Sequence, residues 1–350
     1  MPKSLFIATI GQTTSLLLKP LNFDDQLQLA AVKRVTPSIM KPANRPLRSR
    51  GQIQEALKPI LYADIFDYPL TFEEIYKFLE FKTTPNVLKS LLEQATRDKH
   101  IVLVDGFYSL VDRPHLAAKR RERGLAAQAL WPKARFYGRW IASLPFVRMV
   151  AVTGSLAVEN PCDGVDDIDY LIVTRPGRLW LCRAMVILMV HYGHRQGVHL
   201  CPNYMLTENL LFFEDDNLFI AREMLQMVPL YGKSTYLDMR QVNAWITDYL
   251  PQGAGLNLTH VDDGLSPPQC FFKKSGEFIL SSFLGDLLEK PLQRYQITKH
   301  TRLAEKNGAA DKVIFTADQC KGHYDGHKNN TMKAYQSRLE KYKQTAASST

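Results

Sequence analysis

The chain has 350 residues, 45% of them hydrophobic, with 44 Lys and Arg against 35 Asp and Glu for a formal charge of +9. That length allows two domains, or one with appendages, each with a core of its own. The longest apolar stretch, Ala184 to Val190, follows Arg183 and is closed by His191; it is too short to span a bilayer, so no membrane span and no membrane partner are expected. Cys162, Cys182, Cys201, Cys270 and Cys320 are odd in number and lack a C-x-x-C pair, which argues against a zinc framework or a disulfide scaffold and predicts a reducing cytoplasm. The N-terminus has no small-residue cleavage site after LFIATI, so no signal peptide is expected, and no G-x-x-x-x-G-K-[ST] phosphate loop occurs.

Residues 1–50 carry Pro20, Pro37, Pro42 and Pro46 and eight Lys/Arg against Asp24 and Asp25, with little periodicity. They read as a basic, largely disordered leader whose removal leaves the fold intact. From Gly51, Ile53, Leu57, Ile60, Leu61 and Ile65 fall at helical spacing, ended by Pro69. Thr71 and Glu74 form a capping box for a helix over 72–81, and Thr84-Pro85 opens a third helix to Arg97. His100 to Val104, Asp105-Gly106 and Phe107 to Val111 read as a hairpin with a primed turn. Three helices and a hairpin predict a winged-helix domain over 51–112. Its third helix offsets Lys89, Arg97 and Lys99 with Glu93 and Asp98, so a structural role is favoured over reading DNA, with nucleic-acid contact kept open.

A second domain is expected over 113–250. It begins with an Ala/Leu/Arg-rich stretch that Pro132 should split into two helices, and Lys119 to Arg123 within it is either a phosphate-facing patch or a solvated helix face. Residues 113–139 hold eight Lys/Arg against Glu122 alone, and 290–350 hold twelve against five acids. Basic segments around an acidic middle suit a polyanionic partner, a triphosphate or a nucleic acid.

The most specific stretch is VAVTGSLAVENPCDGVDDIDYLIVT, Val150 to Thr174. Met149 to Thr153 is a strand-like run that stops at Gly154-Ser155, and Tyr170 to Thr174 is a second one that follows Asp167-Ile168-Asp169. Residues i and i+2 of a strand share a face, so Asp167 and Asp169 present two carboxylates together. Such a pair suits Mg²⁺ or Mn²⁺, with water and substrate phosphate completing the shell. Gly154 and Ser155 offer a cradle for phosphates. The alternative is a solvated loop in which Asp163, Asp166, Asp167 and Asp169 only cap turns. Arg175 and Arg178 follow, able to reach a triphosphate or to serve a helix start at Leu179 to Tyr192. His191, His194 and His199 lack partners at ligand spacing. Leu200 to Thr207 reads as a third strand, 221–230 and 236–250 as helices, and 251–350 as a loop and helical extension: Phe278 to Tyr295 has helical spacing, 312–316 a short strand, and 332–343 a basic helix.

Gly154-Ser155, eleven intervening residues and Asp167-Ile168-Asp169 flanked by hydrophobics resemble the signature of the polymerase-beta-type nucleotidyltransferase superfamily. GRLWLCRA, CPNYMLTEN, AREMLQMVPLYG and DIFDYPLTFEEI are similar to bacterial nucleotidyltransferase-domain proteins with no assigned substrate. The resemblance implies an α/β (α+β) fold with a polymerase-beta-like mixed sheet, between an N-terminal winged helix and a C-terminal helical extension. It implies metal-dependent transfer of an NMP from an NTP, ATP or another, to an acceptor hydroxyl on a small molecule, a protein or RNA. Asp167 and Asp169 would hold the metal, with Gly154, Ser155, Arg175 and Arg178 toward the nucleotide. The superfamily usually places a third carboxylate on the third strand. Here Asn203 holds the central polar position and Glu208 the far end, and either is a candidate third catalytic residue. That departure leaves a second reading, a catalytically inactive binding protein of the same fold.

Overall fold

The computed structural model describes residues 23–35, 49–308, 313–322 and 327–348. After α1 (Phe23–Val35) come α2 (Ser49–Ala63), a 3-10 turn at Asp64–Phe66, α3 (Phe72–Lys77), α4 (Pro85–Arg97) and a hairpin of β1 (Ile101–Val104) and β2 (Phe107–Leu110). The local signals act as read. Thr71 Oγ1 accepts from the Glu74 amide while Glu74 Oε2 accepts from the Thr71 amide, and Thr84 Oγ1 accepts from Val87. The hairpin turn places both Asp105 (φ 52°) and Gly106 (φ 83°) in the left-handed region, as a primed turn requires. Leu57, Ile60, Ile75, Leu79, Leu88 and Leu92 close the core of this module.

The central body is a six-stranded mixed sheet in the order β6-β3-β4-β5-β8-β7. It is built from β3 (Val147–Val152), β4 (Ile168–Thr174), β5 (Leu200–Thr207), β6 (Val228–Tyr231), β7 (Ile314–Phe315) and β8 (Gln319–Lys321). Only β4 and β5 run parallel. Alternation along β4 sends Ile168, Tyr170 and Ile172 to one side, against α5 (Leu116–Ala142) and α7 (Leu179–Arg195). Leu171 and Val173 go to the other side, against α8 (Leu218–Gln226), α9 (Lys233–Val242) and α10 (Ile246–Tyr249). The α6 turn (Gly154–Ala157) joins β3 to the loop before β4.

Four expectations change. Pro132 does not split α5, which runs unbroken for 27 residues; burial of Ala127, Leu130, Trp131 and Ala134 around the proline outweighs one lost backbone bond. The helix expected over 221–230 ends at Gln226, and Val228–Tyr231 forms the edge strand β6, where Pro229 is tolerated because no further strand needs its missing N–H. The helix expected over 236–250 breaks at Asn243, whose buried amide accepts from Phe213 N and donates to Leu211 O. The 251–350 segment is not a simple appendage, since β8 pairs with β5 inside the main sheet.

The leader is also corrected in part. α1 is ordered within 1–50, and its fully buried Gln26 donates to Glu208 O (2.7 Å) and accepts from Phe212 N (3.0 Å); the remainder of the leader lies outside the described residues. Two backbone groups thus depend on one side chain. Gln26→Leu should cost about 2 kcal/mol by leaving both unpaired, and truncation of 1–50 should destabilise. Unchanged denaturation midpoints for both would show that α1 is not docked.

The extension contains α11 (Pro267–Leu280) and α12 (Phe283–Lys306), and α13 (His327–Ser348) follows β8. α13 ties the N-terminal module down through Tyr335 Oη to Glu80 (2.6 Å) and Arg338 Nε to Asp64 (2.8 Å). α11 and α12 meet the central body through polar groups: Lys273 Nζ donates to the carbonyls of Ala142, Leu144 and Val147, Glu289 accepts from the Trp180 and Leu181 amides, and Gln296 donates to Trp180 O. No helix among the described residues is long and apolar enough to cross a membrane.

Candidate active site

β3 and β4 are antiparallel neighbours, so the end of one meets the start of the other: Thr153 N donates to Asp169 O at 2.9 Å. Gly154 (φ 66°) then turns the chain so closely over Asp169 that a β-carbon there would lie 2.1 Å from Oδ2. Only glycine fits both the conformation and the space. Gly154 therefore meets Asp169, while Ser155 turns to Asp166 and Asp167 lies exposed just before β4. Beside them, Thr153 Oγ1 is buried with no hydrogen-bond partner among the described residues.

The four loop aspartates divide by role. Asp163 accepts from Val165 N, and Asp166 accepts from Cys162 N, Asp167 N and the Ser155 hydroxyl (3.2 Å), so these two cap the loop. Asp167 and Asp169 do not. Asp169 lies on the α8 side of the sheet, where burial pushes its carboxyl up to about 6, opposed by a hydrogen bond from the Cys201 thiol and reinforced by the charges of Asp167 and Asp166. The same burial, with the Asp169 carboxylate adjacent, pushes the Cys201 thiol up.

Glu223 on α8 completes this acidic corner. Burial first, and Asp169 second, raise its carboxyl to about 7, while Lys321 of β8 acts the other way. Lys321 arrives by register: it pairs with Tyr204 of β5, which pairs with Leu171 of β4, and its Nζ lies 5.7 Å from the Tyr204 ring. The sequence places Glu223 on an exposed side of its helix and gives Lys321 no role. The one available signal was a lone acid in the apolar run around AREML; its partner lies more than fifty residues upstream and is reached only through the fold.

Three predicted site residues are elsewhere. Glu208 and Arg175 follow the far ends of β5 and β4, roughly 20 Å along the strands from Asp169 at about 3.3 Å per residue. Glu208 faces Arg148 (3.8 Å), and Arg175 lies over Phe146 near Ser281. Arg178 bonds Leu280 O and pairs with Asp286 (2.7 Å), bracing the corner between α11 and α12. Sequence proximity misleads because β4 carries the chain from one end of the strands to the other. Asn203 sits in a bulge of β5 between the Asp169–Cys201 and Leu171–Tyr204 pairs, at the site's end of the sheet.

The basic cluster on α5 is internally paired. Lys119 meets Asp67 (2.5 Å), Arg120 meets Glu74 (3.0 Å) and stacks on Tyr68, Arg121 meets Asp105, and Arg123 donates to Asn160 (2.8 Å) and Phe66 O. It is therefore a seam to the N-terminal module, neither a phosphate patch nor a solvated face. Tyr68 Oη reaches Val158 O (2.6 Å) across it, so that module holds the loop between the cradle and the aspartates.

Among the described residues no group of three or more His, Cys, Asp and Glu side chains is gathered at metal-ligand spacing. A two-carboxylate arrangement still suits Mg²⁺, which binds through one or two carboxylates plus substrate phosphates and keeps several waters. The raised carboxyl of Asp169, the glycine cradle closed on it and the orphan Thr153 hydroxyl all fit a cation and a phosphate at this point. Compared with known protein families, curated proteins and solved structures, the chain matches none.

Proposed function

We propose that the chain is a metal-dependent nucleotidyltransferase of polymerase-beta-like fold, with the N-terminal helices and hairpin as a winged-helix module that braces the active loop. The observation that carries it is the contact of Gly154 with the half-buried Asp169 carboxylate, which sets a phosphate cradle against a charge a cation would neutralise. Asp167 and Asp169 would hold Mg²⁺ or Mn²⁺, which supplies charge neutralisation and Lewis acidity when bound. Gly154, Ser155 and the Thr153 hydroxyl hold the NTP phosphates. Glu223, with its carboxyl raised to about 7, is suited to take the proton of an acceptor hydroxyl. That oxygen bonds to the α-phosphorus in line as the bond to the β-phosphate oxygen breaks, and pyrophosphate leaves. Most of the acceleration is positioning.

The test incubates the protein with each α-labelled NTP, Mg²⁺ or Mn²⁺, and cell extract, then follows label into small-molecule, protein and RNA fractions. One labelled fraction, lost in EDTA, is expected. NTP affinity unchanged in EDTA would remove the metal from the site, and metal-dependent binding without any labelled acceptor would leave the inactive binding protein.

A further inference from the structure

α11 and α12 turn Leu280 and Leu292 inward but keep their aromatic side chains outside. Lys273, Glu289 and Gln296 are buried against the central body, each bonded to its backbone, while Phe271 (74% exposed), Phe278 (84%) and Phe283 (74%) project outward. Leu284, Leu287 and Tyr295, all more than half exposed, extend that face along α12. Single exposed apolar residues are ordinary, but a contiguous face of this kind on a helix corner marks a binding surface.

We propose that this outer face docks on an anionic lipid bilayer. The charges round it select that occupant. Lys274, Lys290, Arg294, Lys299 and Arg302 are exposed and carry no ion pair among the described residues. Of the exposed acids on these helices, Asp286 is taken up by Arg178, which leaves Glu305. A second copy on the same face would oppose two sets of cations. A helical partner would need an apolar groove, whereas the hollow on this face is lined by Arg294, Lys299 and Arg302 with Tyr295 and Thr298. Protruding Phe and Leu with a Lys/Arg rim are what an interfacial helix presents to headgroups and acyl chains. Lying on a bilayer requires no spanning helix. The corner packs against α7 on the Tyr170 side of the sheet, so docking leaves the Asp169 side facing away.

The experiment sediments the full chain with vesicles of phosphatidylcholine containing about a quarter phosphatidylserine, and with phosphatidylcholine alone. Binding should be at least about tenfold stronger to the anionic vesicles and fall with salt. Phe278→Asp with Phe283→Asp should lose it about tenfold or more with an unchanged melting curve, since both side chains are exposed. Sedimentation velocity without lipid should show a monomer. Equal binding to neutral vesicles, no binding to either, or a dimer abolished by the double variant would each overturn the proposal.

Discussion

Asp169→Asn should abolish the proposed nucleotidyl transfer and, at pH 7.5 without divalent metal, raise the melting temperature by a few degrees. The sign follows from linkage. The native carboxyl titrates near 6 against an ordinary 3.8, so between those values the folded protein holds more protons than the unfolded chain, and stability falls as pH rises through that window. Above it the ionised group is a constant penalty, on the order of 1 to 3 kcal/mol after allowance for residual solvent. Asparagine removes the charge at nearly constant volume. Mg²⁺ should then raise the melting temperature of the wild type but not of the variant, and acidification from pH 7 to 5 should stabilise the wild type more than the variant, which keeps the raised carboxyl of Glu223 but lacks that of Asp169. If Asp169 instead capped its loop, the change would cost about 1 kcal/mol. A variant that melts lower with and without Mg²⁺, and keeps any metal-dependent shift, would end the catalytic reading.

Lys273→Met should lower stability by about 3 kcal/mol. The ammonium, buried over the Tyr231 ring, donates to Ala142 O and Val147 O at 2.6 Å and to Leu144 O at 3.3 Å. The thioether side chain offers no donor, so Ala142 O at the end of α5 and Val147 O at the start of β3 lose theirs, while Leu144 O keeps the Val147 amide at 3.4 Å. Each buried acceptor left without a donor costs roughly 1 kcal/mol or more. Chemical denaturation measures the loss directly. A change within about 0.5 kcal/mol would show that α11 rests loosely on the body rather than forming part of it.

The readable parts of the chain were those governed by neighbours in sequence. Thr71 with Glu74, Thr84-Pro85 and Asp105-Gly106 fix their own caps and turns, and the β3, β4 and β5 runs are bounded by Gly154, Asp169 and Thr207. The convergence of Gly154 with Asp169 was legible too, because a hairpin-like return is the shortest way to join two such strands. Glu223 and Lys321 were not, since each reaches the site from an element placed by tertiary packing. Phe278 to Tyr295 reads as one helix from its spacing, whereas the structure breaks it at Ser281-Ser282 between α11 and α12. Its apolar residues also divide: Leu280 and Leu292 pack inward while Phe283, Leu284 and Leu287 face out, and the buried backbone groups of Trp180 and Val147 take polar partners from these helices.

The insertion of β8 beside β5 has a consequence for biosynthesis. Until residues 319–321 leave the ribosome, β5 is an outer strand whose hydrogen-bonding edge has no partner, although β3, β4 and β6 have long been available. More than a hundred residues after β5 are thus made before its open edge can be covered, and a product stalled before β8 would carry an edge that invites intermolecular pairing.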